Sequence, residues 1–116
     1  YDLSCSVVMR SNDMFLGHPF NVASYGALTQ MIAKICGYGV SEIIFHIMDA
    51  HIYETHVEQA REQIKRKPFA FPALSFSKKI EELTTSRQLT IDDFAQGDLL
   101  LENYKSHPAI KGQMVV

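Results

Sequence analysis

Apolar positions recur along this chain with two different periods, and the switches between them mark its elements. Leu3 to Met9 is a run of small, β-branched and apolar residues that predicts a strand. A polar loop punctuated by Gly17 and Pro19 follows. From Phe20 to about Cys36, Val22, Ala23, Ala27, Leu28, Met31, Ile32 and Ile35 fall at helical spacing, and Gly37 supplies the stop. The apolar face is broad, which predicts a helix buried along much of its length.

Glu42 to Met48 is short and nearly continuously apolar, the pattern of a strand buried on both faces. It delivers Asp49, His51 and Tyr53 at its far end. Glu54 to Lys67 is charged, with Val57, Ala60 and Ile64 as a thin apolar stripe, and predicts an amphipathic surface helix ending before Pro68. Pro68 to Pro72 reads as an extended connector. Leu74 to Ile80 predicts a strand and Thr84 to Ile91 a polar loop. Thr90 to Phe94 predicts a capped helical turn, and Leu99 to Tyr104 a last strand. Strands and helices in mixed order predict an α+β fold, a mixed β-sheet packed against helices.

Composition narrows the class. At 116 residues and 47% hydrophobic content, the chain is expected to form one domain spanning residues 1–116, with enough apolar residues for a core. A net charge of -2 without a basic block argues against nucleic acid as partner, although one or two arginines suffice to hold a mononucleotide. No apolar run reaches the roughly 18 residues of a membrane span, and no signal peptide opens the chain, so a cytoplasmic protein with no membrane partner is expected. The chain starts inside a strand without a Met, which predicts a truncated or cleaved product. Cys5 and Cys36 lack metal-ligand spacing, so no metal is expected, and each reads as a small buried hydrophobe in a reducing compartment.

The candidate chemistry concentrates between Arg10 and Tyr25, where a strand passes through a loop into the long helix. Arg10 and Ser11 offer a guanidinium and a hydroxyl suited to phosphate, although Arg10 is equally placed in sequence to pair with Asp13. Asn21, at the predicted helix start, is either an N-cap or an amide that reads a ring edge with one donor and one acceptor. His51 and Tyr53 are two apart, so on an extended segment they face one side.

The stretch Arg10-Ser11-Asn12-Asp13-Met14-Phe15-Leu16-Gly17-His18-Pro19-Phe20-Asn21-Val22-Ala23-Ser24-Tyr25 resembles the nucleotide-binding segment of the thymidylate synthase family. Asp49-Ala50-His51-Ile52-Tyr53 and His107-Pro108-Ala109-Ile110-Lys111 match in the family's order, so the chain resembles the C-terminal portion of that fold. The resemblance implies folate-dependent reductive methylation of dUMP to dTMP, with 5,10-methylenetetrahydrofolate as co-substrate, in a homodimer. It implies that Arg10 and Ser11 bind the phosphate, that Asn21 reads uracil, and that His51 and Tyr53 bind the deoxyribose 3′-hydroxyl. Asp13 is implied to contact the folate pterin and assist, with Leu16, Gly17 and Phe20 lining that pocket. Val115 and Val116 match the tail that closes over it.

The family's nucleophile is a cysteine in a Pro-Cys-His motif on a preceding segment, and these 116 residues contain no such motif. Cys5 matches a structural position instead. Three residues depart from the family pattern: Met9 for Gln, His18 for Leu or Val, and Met48 for Gly. Met48 is expected to fill space that Gly leaves empty, and His18 to place a polar group beside the folate pocket. Two alternatives remain open: a deoxyuridylate hydroxymethylase, or a non-catalytic truncated paralogue that binds nucleotide or dimerises.

Overall fold

In the computed structural model, which describes residues 1–114, one long helix lies across a parallel strand pair, and the smaller elements are arranged around its two ends. Strand β1 (Asp2–Met9) alternates as its sequence requires, with Leu3, Cys5, Val7 and Met9 turned inward and Ser4, Ser6 and Val8 outward. It pairs in parallel with β3 (Gly39–Ile47); the register runs Leu3 to Val40, then Cys5 to Ile43, so β3 carries an extra residue there. Such a bulge lets β3 keep Val40, Ile43, Phe45 and Ile47 on the helix side.

Helix α1 (Gly17–Cys36) makes the crossover between these strands. It begins three residues earlier than the periodicity indicates, because Pro19, with its fixed φ and missing N–H, is compatible with a first helical turn. It stops at Gly37, whose φ of 70° and bonds to Ala33 and Lys34 carbonyls form a left-handed cap. Tyr25 and His18 both meet the Phe45 ring edge-on, at centroid distances of 6.0 and 5.3 Å.

Burial is thinner than the sequence predicts. In α1 only Thr29 and Ala33 are buried, and no residue of β3 is, because the strand pair has α1 on one face alone. Val8, Ile44 and Met48 are exposed, and the radius of gyration is 16.8 Å against about 13 Å for a compact domain of this size. Cys5 is half-buried, whereas Cys36, at the end of α1, is exposed rather than part of a core.

Two short strands matter more for the site than their length suggests. β2 (Asn12–Asp13) pairs in parallel with β4 (Ala50–His51), so the segment leaving β1 lies beside the segment leaving β3. The predicted helix over 54–67 is a 3₁₀ turn (Glu54–His56) running into α2 (Val57–Lys65), with Ile64 facing solvent.

The stretch read as a strand from Leu74 to Ile80 divides in two. Strand β5 (Ala73–Phe76) pairs antiparallel with β6 (Leu99–Glu102), and the chain then turns into α3 (Lys78–Thr85). Ser77 causes the switch: its hydroxyl caps the Ile80 N–H and also donates to Asp98 at 2.6 Å. The loop expected from Thr84 therefore begins after Thr85. The turn at Ile91–Asp93 forms as predicted, with Asp93 Oδ2 accepting from both the N–H and hydroxyl of Thr90 at 2.8 Å. Helices and strands in mixed order make this an α+β chain, its strands in three separate two-stranded pairings among the described residues.

Candidate functional site

The site grows from the β2–β4 pairing. Asn12 N–H donates to the Asp49 carbonyl at 2.9 Å and Met14 N–H to that of His51 at 2.8 Å, which clamps the Arg10–Asp13 segment onto Asp49–His51. Ser11 Oγ donates to Asp49 Oδ2 at 3.2 Å, and His51 Nδ1 stands 3.6 Å from the same oxygen. Residues about forty positions apart thereby share one surface. Arg10 is exposed and makes no ion pair with Asp13 among the described residues, so its guanidinium faces solvent. His51 and Tyr53 lie together, their rings edge-to-face at 5.2 Å, as the two-residue spacing predicts.

Asn21 is one turn inside α1 and is not its N-cap, since the helix starts at Gly17. Its Nδ2 donates to Asn12 Oδ1 at 3.0 Å. Asn12 is almost fully buried and also reaches His18 Nδ1 at 2.8 Å and Met9 Sδ at 3.4 Å. His18 thus turns toward Asn12 and Phe45, not toward the cavity where a polar group was expected. Met48 extends into solvent instead of filling an interior space; its N–H bonds the Met9 carbonyl at 3.0 Å.

Asp13 organises the loop itself. Its Oδ1 accepts from the N–H groups of Phe15 and Leu16 at 2.9 and 3.3 Å, the side-chain turn that an aspartate makes ahead of a helix. One carboxylate oxygen is committed to this turn, and the other has no partner among the described residues. Asp13, Leu16, Gly17 and Phe20 line one cavity of about 430 Å³, with Tyr53 on its wall. Gly112 and Met114 close another side. Val115, predicted to belong here, lies outside the described residues.

The tail is held by a residue the sequence reading passed over. His56 is fully buried at the start of α2, and its Nε2 lies 2.7 Å from the Gln113 carbonyl. A carbonyl only accepts, so Nε2 carries the proton; Nδ1 is buried without a partner among the described residues. Phe15 packs on the ring at 5.3 Å. Gly112 passes so close that a Cβ would stand 2.9 Å from Phe15 and 3.3 Å from His56. A lone His opening an amphipathic helix gave no sign of this in the sequence. Asn12 was equally silent, since its partners are set by tertiary structure.

The third motif is not brought to the junction. His107 accepts a place against Phe69 at 4.6 Å and bonds the Lys67 carbonyl at 2.8 Å, while Arg66 Nη1 donates to the Pro108 carbonyl at 2.6 Å. His107, Pro108 and Ile110 line a neighbouring groove of about 500 Å³ that shares Leu16 and Phe20 with the first cavity. Among the described residues no cluster of three metal-ligating side chains occurs, and no helix is long and apolar enough to cross a membrane.

Fold and junction define an α+β protein whose polar groups converge at a strand–loop–helix turn beside a largely apolar cavity. A family model described as thymidylate synthase matches residues 1–116, and the chain belongs to the thymidylate synthase family, a family of methyltransferases. It is similar to the thymidylate synthase of Mycoplasma mobile (strain ATCC 43663 / 163K / NCTC 11711), with 46% identity over 114 residues. That match covers 98% of this chain and 37% of the relative, so the chain spans little more than a third of the relative's length.

Proposed function

We propose that this chain supplies the dUMP subsite and part of the folate subsite of a thymidylate synthase, which converts dUMP to dTMP. The observation that carries the reading is the β2–β4 pairing, which puts Asp13 opposite His51 and lets Ser11 and His51 approach the same Asp49 carboxylate oxygen. Arg10, unpaired by protein carboxylates among the described residues, holds the phosphate through charge-assisted hydrogen bonds, and Ser11 joins it by turning its hydroxyl hydrogen from Asp49 to the phosphate. His51 and Tyr53 take the 3′-hydroxyl of the deoxyribose. Asn21 pairs its carboxamide with O4 and N3–H of uracil.

The cavity lined by Asp13, Leu16, Gly17 and Phe20 fits a folate ring: apolar walls, an exposed phenyl for stacking, and one carboxylate oxygen left for ring N–H groups. 5,10-Methylenetetrahydrofolate supplies the one-carbon unit and the hydride. Asp13 orients the ring, and the Gly112–Met114 tail, with Val115 beyond it, limits water access. The nucleophilic thiolate that activates C5 by adding to C6 belongs to a Pro-Cys-His segment that these 116 residues do not contain. The exposed apolar face at Val8, Ile44 and Met48 supports assembly as a homodimer, and a cytoplasmic setting accords with the metabolite substrates.

Tritium release from C5-labelled dUMP, with methylenetetrahydrofolate present and the full-length protein as catalyst, tests the reading. Release with dTMP as product is expected. Hydroxymethyl product would identify a hydroxymethylase, and no release with nucleotide still bound would identify a non-catalytic paralogue.

A further inference from the structure

We propose that His18, Met9 and Asn12 form a polarity relay that fixes which way the Asn21 carboxamide faces, making them positioning residues for base selection. The inference rests on Asn21 as the group that reads the pyrimidine edge.

A carboxamide has an acceptor end and a donor end, so a chain of them transmits direction. Asn12 meets three partners: His18 Nδ1 at 2.8 Å and Met9 Sδ at 3.4 Å on its NH₂ side, and Asn21 Nδ2 at 3.0 Å on its oxygen side. A thioether has no hydrogen to give and can only accept. An imidazole in its Nε2–H form likewise presents Nδ1 as an acceptor. Both partners therefore draw the NH₂ of Asn12, which leaves Oδ1 to accept from Asn21. The reverse orientation would set a carbonyl oxygen against two lone pairs and would turn the Asn21 carboxamide over with it. Asn12 is 3% exposed, so water does not relieve that mismatch.

The scaffold keeps the relay in register. Asn12 is pinned by its backbone to Asp49, and the His18 ring is held edge-on to Phe45 at 5.3 Å. One hydrogen of Asn21 Nδ2 is thereby committed inward, which leaves the second hydrogen and Oδ1 in a fixed order along the free edge. Uracil offers an acceptor at O4 and a donor at N3; cytosine offers a donor at N4 and an acceptor at N3. A free carboxamide matches either by turning over, and a held one matches only one. Met9 and His18, two of the three departures from the family pattern, meet on this single amide. Each favours the same orientation.

The test combines histidine tautomer NMR with dUMP and dCMP titrations of the protein. Wild type is expected to show His18 in the Nε2–H form and to prefer dUMP. Asn12→Leu removes the amide that holds Asn21 and should lower the dUMP-over-dCMP ratio about tenfold, whereas His18→Leu leaves the Met9 acceptor in place and should lower it less. Asn12→Asp keeps an acceptor facing Asn21, so it should retain the ratio within about twofold while driving His18 to the Nδ1–H form. An Nδ1–H form in wild type would overturn the relay, as would an unchanged ratio in Asn12→Leu. If neither nucleotide binds, the reading of Asn21 fails, and the His18 tautomer in wild type and in Asn12→Asp still decides the relay.

Discussion

The imidazole of His56 donates from Nε2 to the carbonyl of Gln113 at 2.7 Å, joining the first turn before α2 to the tail 57 residues away. The ring has no exposure, and its bond secures the segment that walls the Asp13 cavity. His56→Leu leaves that carbonyl without its donor and should loosen the tail at a cost of about 1–3 kcal/mol. The expected kinetic signature is a raised KM for the folate with a smaller change in dUMP affinity, since the His56 ring bonds the tail and meets Tyr53 only edge-on at 6.0 Å. Steady-state kinetics with each substrate varied in turn checks this.

Gly112 packs against the same ring. A methyl group there would meet Phe15 Cε1 at 2.9 Å and Leu16 Cδ2 at 3.1 Å. Gly112→Ala should destabilise by about 1–3 kcal/mol through overpacking, readable as a lower urea midpoint with unchanged slope.

Asp98 ties β6 to the start of α3 and sets an acid limit on the fold. The Ser77 hydroxyl, the Lys79 ammonium and the Ala95 N–H together hold its carboxyl down from 3.8 to about 2. Because the folded form binds its proton less readily than the unfolded form, the contribution is complete above about pH 3.8 and disappears as the pH falls through about 2. Asp98→Asn should flatten the stability profile in that window and leave its shape near neutrality unchanged. Circular dichroism titrations of the two proteins provide the comparison.

Among the described residues Ile80 is the largest fully buried side chain, and it is the apolar anchor of α3. Ile80→Ala should cost about 2–5 kcal/mol, measured by denaturant unfolding.

Ile80 also shows where the sequence misled. Leu74, Phe76 and Ile80 share an even spacing that continues a strand pattern, whereas Ile80 and Leu83 are three apart and Ser77 is a cap, a helix signal overshadowed by the preceding strand. β1, α1 and the Thr90 turn were legible because periodicity and capping are local. Ile44 and Leu28 read as core residues from hydropathy alone, but burial depends on what lies opposite, and only one face of β1–β3 is covered. At the site, resemblance singled out the Arg10–Tyr25 and Asp49–Tyr53 segments, which the β2–β4 pairing brings side by side. Asn12 and His56 were not, because a polar residue's partners come from distant elements: Asn12 through the β2–β4 pairing, His56 through the returning tail.

In the proposed function, Arg10 and Ser11 make a phosphate site coupled to a pyrimidine reader at Asn21. Calorimetric titration of dUMP and deoxyuridine into wild type and Arg10→Ala tests it most directly. The account predicts that dUMP binds wild type more tightly than deoxyuridine does, and that Arg10→Ala weakens dUMP by about 1.5–3 kcal/mol while leaving deoxyuridine unchanged. Equal affinity for dUMP in the two proteins would contradict it.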